Sequence, residues 1–187
     1  MEESEAPPYL PPSMLAKRLS WDVFLSFRGE DTRPTITTAL YRALQSNGVR
    51  AFMDDEGMER GDVIQPSLEE AIVDSALAVA IISPRYADSR WCLHELSRIF
   101  EYRKRVLPVF YGVDPSDVRR QKGVFGDGFR ALADPSRFSP SEVKRWRDAL
   151  NKAGNISGYP CRKERSSLSS LLSHLYGFAS LCIALYC

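Results

Sequence analysis

The stretch "SRWCLHEL", Ser89 to Leu96, sets an indole, a thiol, an imidazole and a carboxylate side by side. Groups of these types bind metals, act as nucleophiles or assist the cleavage of polar bonds. A zinc site needs several convergent nitrogen or sulfur ligands. The only other histidine is His174, and the cysteines (Cys92, Cys161, Cys182 and Cys187) contain no C-x-x-C pair. No metal is expected. A hydrolytic triad fails on the same count, because neither histidine sits where it could serve a Ser or Cys nucleophile as base. Glu95 remains, with two readings open: a carboxylate near a helix start that steadies the helix dipole, or a group that works on a ligand.

Helical spacing sorts these side chains by direction. If residues 91–104 form a helix, Leu93, Leu96 and Phe100 point inward, while Trp91 and Glu95 are i, i+4 neighbours on another side. His94, Arg98 and Glu101 share a third direction, most simply solvent. Cys92 has no second thiol to pair with.

The elements that must position Glu95 follow from the apolar pattern. "WDVFLSF" is a short apolar run bounded by the turn-like "RGEDT", and Val23, Leu25 and Phe27 alternate along it, as a buried strand requires. Ile36, Leu40, Ala43 and Leu44 then fall at helical spacing, and Asn47-Gly48 ends that run as a C-cap. Three more apolar runs follow, "VRAFM", "LAVAIIS" and "VLPVFYGV", separated by helical patterns at residues 66–74 and 89–104. Further helices are predicted at about residues 123–134 and 141–153, and the repeat ends near Gly158. Strands that are apolar on both faces and separated by helices predict a parallel sheet covered on both sides, a doubly wound α/β domain.

In such sheets ligands bind beyond the carboxyl ends of the strands. The residues there are 28–32, 54–62, 83–90 and 112–119, and all of these segments are polar. In "RGEDT", Gly29 permits a close backbone approach, and Asp31 and Thr32 can cap the following helix and leave amides for an anion; a plain strand-to-helix turn explains the same residues. No G-x-G-x-x-G follows a strand and no G-x-x-x-x-G-K-[ST] occurs, so neither the Rossmann fingerprint nor a P-loop is present. "MDDEGMERGD" reads as a long, exposed, charged loop of the kind that can gate a site.

The chain has 187 residues and a net charge of +1, with the two signs mixed along its length. This argues for one domain plus tails and against nucleic-acid binding, which needs clustered Lys and Arg. The first 20 residues, acidic and then rich in proline, read as a disordered arm. They lack a secretory signal, so a cytoplasmic protein with reduced thiols is expected, with nuclear access open to it. The tail is apolar from about Leu168 and follows "CRKERSS". It is just long enough to cross a bilayer core of about 30 Å. It reads equally as an amphipathic helix, with Ser169, Ser173, Gly177 and Ser180 opposite Leu168, Leu171, Leu175, Phe178 and Cys182.

Taken together, "WDVFLSFRGEDTR", "FMDDEGMERGD", "AIISPRYADSRWCLHEL" and "VLPVFYGVDPSDVRRQKGVFGDGF" closely resemble the TIR (Toll/interleukin-1 receptor) domains of plant immune receptors. The resemblance spans residues 21–158, leaving residues 159–187 as an atypical tail. It implies a flavodoxin-like fold, a five-stranded parallel sheet with helices on both faces. Many plant TIR domains are NAD⁺ glycohydrolases, and Glu95 matches the family's catalytic glutamate. By the same resemblance Phe27, Arg28, Gly29, Glu30, Asp31 and Thr32 line the nucleotide pocket, Gly61 lies in the gating loop, and Trp91 is an aromatic wall beside the glutamate. NAD⁺ is then a substrate rather than a retained cofactor, and the products are nicotinamide and ADP-ribose or a cyclised or variant ADP-ribose.

The resemblance also implies that the pocket is completed only when TIR domains associate. The expected partners are further copies of the chain and other TIR-containing receptors; membrane contact could come only through the tail. Family members usually carry Asp where this chain has His94, and a Ser-His pair where it has Thr38-Ala39. The connection from the Glu95 helix to "VLPVFY" is also shorter than usual. A TIR-only protein is expected. The alternative to an enzyme is a non-catalytic adaptor or decoy that pairs with receptor TIR domains. A phosphoacceptor receiver domain shares the sheet topology but lacks a clear acid and lysine set at the strand ends.

Overall fold

The computed structural model describes residues 19–53 and 66–161, together with Leu171 and Ser173. Five strands form one sheet in the order β2-β1-β3-β4-β5, every neighbouring pair parallel. They are β1 (Trp21–Phe27), β2 (Ala51–Met53), β3 (Ser75–Ile82), β4 (Arg105–Tyr111) and β5 (Tyr159–Cys161). This is the flavodoxin-like order, with its topological switch between β1 and β3.

Burial on both faces explains the sequence pattern. All eight residues of β3 are buried. Along β1 the two-residue period splits the strand between two cores. Phe24 joins the core that holds Leu68, Tyr86, Leu93, Leu96 and Phe110, while Val23, Leu25 and Phe27 join the core that holds Ile36, Leu40 and Leu44. Ser26 shares the Phe24 face at the carboxyl end of the strand, where it is fully buried. One polar position in an apolar strand is thereby aimed into the first core.

The segment after β1 is helical sooner than the sequence suggests. Helix α1 (Gly29–Thr32) begins at once, a wide turn over Arg33–Thr37 carries Pro34, and α2 (Thr38–Ser46) continues to the Asn47-Gly48 stop, where Gly48 has φ +76°. Asp31 and Thr32 therefore lie inside the first helical turn instead of capping the next helix. The Thr32 hydroxyl donates to the Arg28 carbonyl at 3.1 Å and accepts from Thr37 at 2.8 Å. A wide turn accommodates proline, which has no N–H to give to the helix ladder.

The remaining helices are α3 (Pro66–Val73), α4 (Arg90–Glu101), α5 (Pro115–Arg120), α6 (Gly123–Leu132) and α7 (Pro140–Asn155). Helix α5 falls in residues that the sequence reading leaves as loop. Its signal is the pair Asp114-Pro115: Asp114 accepts from the Ser116 amide at 2.7 Å and Pro115 takes the first helical position. Helix α7 opens with a capping box, Ser139 and Glu142 each bonding the other's backbone.

The sheet also runs past Gly158, where the sequence reading ends it. Strand β5 is only "YPC", too short to show a period, and its order comes from pairing with Val109, Phe110 and Tyr111. Leu171 is wholly buried in the second core and Ser173 is exposed, the split expected of an amphipathic helix laid on the domain. Among the described residues no helix is long and apolar enough to cross a membrane.

Packing of α7 on α5 depends on a missing side chain. A Cβ on Gly154 would stand 2.6 Å from the Arg119 Cβ and 2.7 Å from its Cα and N. Gly154→Ala should therefore destabilise the fold by about 1–3 kcal/mol, whereas the same change in an open helix would stabilise it by about 0.5–1 kcal/mol. Urea denaturation of the two proteins measures the sign.

Candidate active site

A crevice of about 180 Å³ opens at the carboxyl end of β1, between α1 and α4. Phe24, Phe27, Arg28, Gly29 and Glu30 line it from the β1 side, Leu68 from α3, and Ser89, Trp91, Cys92 and Glu95 from α4. Ser89 caps α4, its hydroxyl accepting from the Cys92 amide at 3.3 Å, which sets the phase of the helix. With the helix started at Arg90, Trp91 and Glu95 stand one above the other on the crevice side. Glu95 lies past the first helical turn, which holds no acidic residue. Its two open readings separate there, because dipole stabilisation falls off within that turn.

The carboxylate is held from below. Ser26 donates to Glu95 Oε2 at 2.8 Å, and the Ser26 hydroxyl lies 2.7 Å from the Tyr86 phenol, which also reaches the Cys92 carbonyl at 3.2 Å. Tyr86 sits in the short 3-10 turn Tyr86–Asp88 that follows β3, fully buried. Burial, and then the charges of Cys92 and Glu95, push its phenol well above the ordinary tyrosine range, so it is a hydrogen-bonding group and not an anion. Cys92 is buried too, and its thiol donates to the Phe27 carbonyl at 3.4 Å. Burial first, and then Glu95, raise the thiol strongly, so it carries no thiolate chemistry.

Trp91 stands beside the carboxylate on α4, while the Phe27 ring packs in the second core at the crevice edge, and each ring is backed by a guanidinium. Arg33 lies 5.1 Å from the Phe27 ring centre, and Arg90 4.2 Å from that of Trp91. Arg28 is mostly buried and donates to Glu30 at 3.0 Å; among the described residues its Nε has no hydrogen-bond partner. That Nε lies 3.7 Å from Asp31 Oδ1, so the guanidinium is charge-paired with both Glu30 and Asp31 at the crevice edge.

Of the residues expected in the pocket, the structure brings together Phe27, Arg28, Gly29, Glu30, Trp91 and Glu95. Asp31 and Thr32 are turned away. Asp31 accepts from Ser83 at 2.6 Å and faces a neighbouring hollow with Arg85 and Tyr111, while Thr32 is buried within its own helix. Helical twist separates them from Arg28 and Gly29, since α1 begins immediately after β1. Gly61 and the loop around it lie outside the described residues.

Ser26 and Arg33 escape a reading of the sequence, while Tyr86 and Ser89 fall in the strand-end segment 83–90 without being singled out as site residues. Ser26 had a signal, as the one hydroxyl near the end of an apolar strand. Tyr86 had none, because its contacts with Ser26 and Cys92 come from chain reversal after β3.

His94 is partly buried rather than solvent-facing, and Phe100 is only partly buried while Ile99 is fully so. The reason is that α4 packs on α3 and α7 as well as on the sheet, so polar-face residues are covered by neighbouring helices. Among the described residues no group of His, Cys, Asp and Glu is placed to hold a metal ion.

Sheet order and crevice thus define a flavodoxin-like α/β domain with a carboxylate at its ligand end. Residues 20–176 match the family described as "TIR domain", and the chain belongs to that family. It is 45% identical over 150 residues to TMV resistance protein N of Nicotiana glutinosa and 45% identical over 153 residues to disease resistance protein RUN1 of Vitis rotundifolia. In each case 78% of this chain is covered, but only 13% and 11% of the relative. Among solved structures, the TIR domains of the activated Roq1 resistosome superpose with a TM-score of 0.73 at 41% identity, covering 84% of this chain and 98% of that one.

His94 gives the site helix a pH dependence. Burial first, and the Arg98 charge second, lower its imidazole below the ordinary value, with Glu69 and Glu101 opposing. The native state therefore resists a proton that the unfolded chain accepts at about pH 6.5. Stability should fall as pH drops below that value, and His94→Asn should flatten the fall when urea denaturation at pH 7.5 and 5.5 is compared.

Proposed function

We propose that this chain cleaves the nicotinamide–ribose bond of NAD⁺ and acts in plant innate immune signalling through association of TIR domains. The observation that carries the reading is Glu95, a carboxylate anchored by Ser26 beside Trp91 in the crevice at the carboxyl end of β1.

Nicotinamide is already cationic in NAD⁺, so the ribosyl C–N bond can break with its electron pair passing to the ring nitrogen and without a general acid. The barrier lies in the oxocarbenium-like ribose left behind. A fixed carboxylate stabilises that positive charge more in the transition state than in the ground state. Trp91 offers a π face to a planar ring, and Arg28 offers a positive charge to the phosphates in exchange for its pairing with Glu30 and Asp31. Water attacking the anomeric carbon and losing a proton gives ADP-ribose; attack by another nucleophile gives a linked or cyclic product.

At about 180 Å³ the crevice is smaller than the roughly 300–1,000 Å³ of ordinary small-molecule sites. This supports a pocket completed by a second TIR domain. The immune role follows from relatives named as resistance proteins and from a neighbour named as a resistosome.

Concentrated protein should release nicotinamide from NAD⁺, with specific activity rising with protein concentration. Glu95→Ala should lower turnover by about 100–1,000-fold. Equal turnover by both proteins would overturn the assignment. Retention of signalling and partner binding by Glu95→Ala in cells would favour the adaptor instead.

A further inference from the structure

Ser26 has one hydroxyl proton and two close oxygen neighbours, Tyr86 Oη at 2.7 Å and Glu95 Oε2 at 2.8 Å. An ionised carboxylate can only accept. With Glu95 ionised the Ser26 proton goes to Glu95, and the single phenol proton of Tyr86 is shared between Ser26 Oγ and the Cys92 carbonyl, 3.2 Å away. The direction from Ser26 to Glu95 is thereby set, and Tyr86 backs Ser26 in competition with the Cys92 carbonyl. Ser26 and Tyr86 are both 0% exposed, so bulk water does not replace either link. The three groups come from three elements, β1, the turn after β3, and α4, and the chain ties them at the point where the crevice begins.

We propose that Ser26 and Tyr86 are positioning residues that keep Glu95 ionised and hold its carboxylate plane toward the crevice, which for catalysis rests on the NAD⁺-cleaving reading given above. A hydroxyl donated to the charged form favours that form. The share of the phenol proton directed at Ser26 Oγ polarises that hydroxyl and strengthens its bond to the carboxylate. Other groups face Glu95 as well. Arg28, Glu30 and Arg33 line the crevice from the β1 side, Cys92 lies on its own helix, and α3 presents Leu68 with Glu69 paired to Arg98 at 2.8 Å. On the far side of α4, Glu142 and Arg145 of α7 lie near His94. Substitutions at Ser26 and Tyr86 change none of these charges, so their effect on Glu95 reports the hydroxyl chain.

The test uses the full chain with ¹³C-labelled glutamate carboxyls, the Glu95 signal being assigned by its loss in Glu95→Gln. Ser26→Ala should raise the Glu95 titration midpoint by about one pH unit. It should lower kcat by about 10–100-fold, with KM little changed and the acid limb of the rate profile moved to higher pH. Ser26→Thr should restore most of both, and Tyr86→Phe should shift the midpoint in the same direction by less. An unchanged midpoint in folded Ser26→Ala overturns the proposal, as does folded Ser26→Thr that behaves like Ser26→Ala. If Ser26→Ala does not fold, Tyr86→Phe decides by the same midpoint. Absence of NAD⁺ turnover in the parent protein would remove the proposed function, while the titration would still decide whether the chain sets the state of Glu95.

Discussion

A hydroxyl buried at the end of an apolar strand must be hydrogen-bonded or it costs stability, and the region around the crevice is organised around that requirement at Ser26. Its two partners are Tyr86 and Glu95. Satisfying it draws the turn after β3 and the second turn of α4 onto the end of β1, at the place where the strand order switches. The same contacts that remove a buried polar penalty thereby leave a carboxylate facing an open space. Stability and site geometry share one set of bonds.

Around this point the sheet supplies rigidity by being covered on both faces. Small residues on one side of β3, Ala78 and Ala80, belong to the same core as Tyr86, Leu93 and Leu96, so the site helix packs close to the sheet. The opposite side is filled by Leu77, Val79 and Ile81 against α2 and the wholly buried Leu171. Glu95 thus projects from an element fixed by packing on several sides.

Much of the architecture was legible in the amino-acid sequence. The long apolar runs of β1, β3 and β4, the Asn47-Gly48 stop and the α4 periodicity all follow from local rules of period and capping, and these elements form where those rules place them. Strand β5 was not legible, because three residues with a central proline carry no period and become a strand only through β4. Helix α5 was signalled by Asp114-Pro115, yet as polar residues after a strand it also read as loop. Asp31 and Thr32 stand off the crevice because of the point at which helix begins: a start at Gly29 rotates both residues away from it.

The sequence by itself determined the fold class, the helix that carries Glu95 and the side of that helix shared with Trp91, since each depends on spacing along the chain. Only the tertiary structure decided that Ser26 and Tyr86 meet Glu95, that Cys92 is closed in, that His94 is half-covered by α3 and α7, and that Asp31 serves a different hollow. Those outcomes join residues far apart in the chain, 52 positions for Asp31 and Ser83, 60 for Ser26 and Tyr86, and 69 for Ser26 and Glu95. Local periodicity says which way a side chain points from its own element. What stands opposite it is set by the order and closeness with which the elements pack.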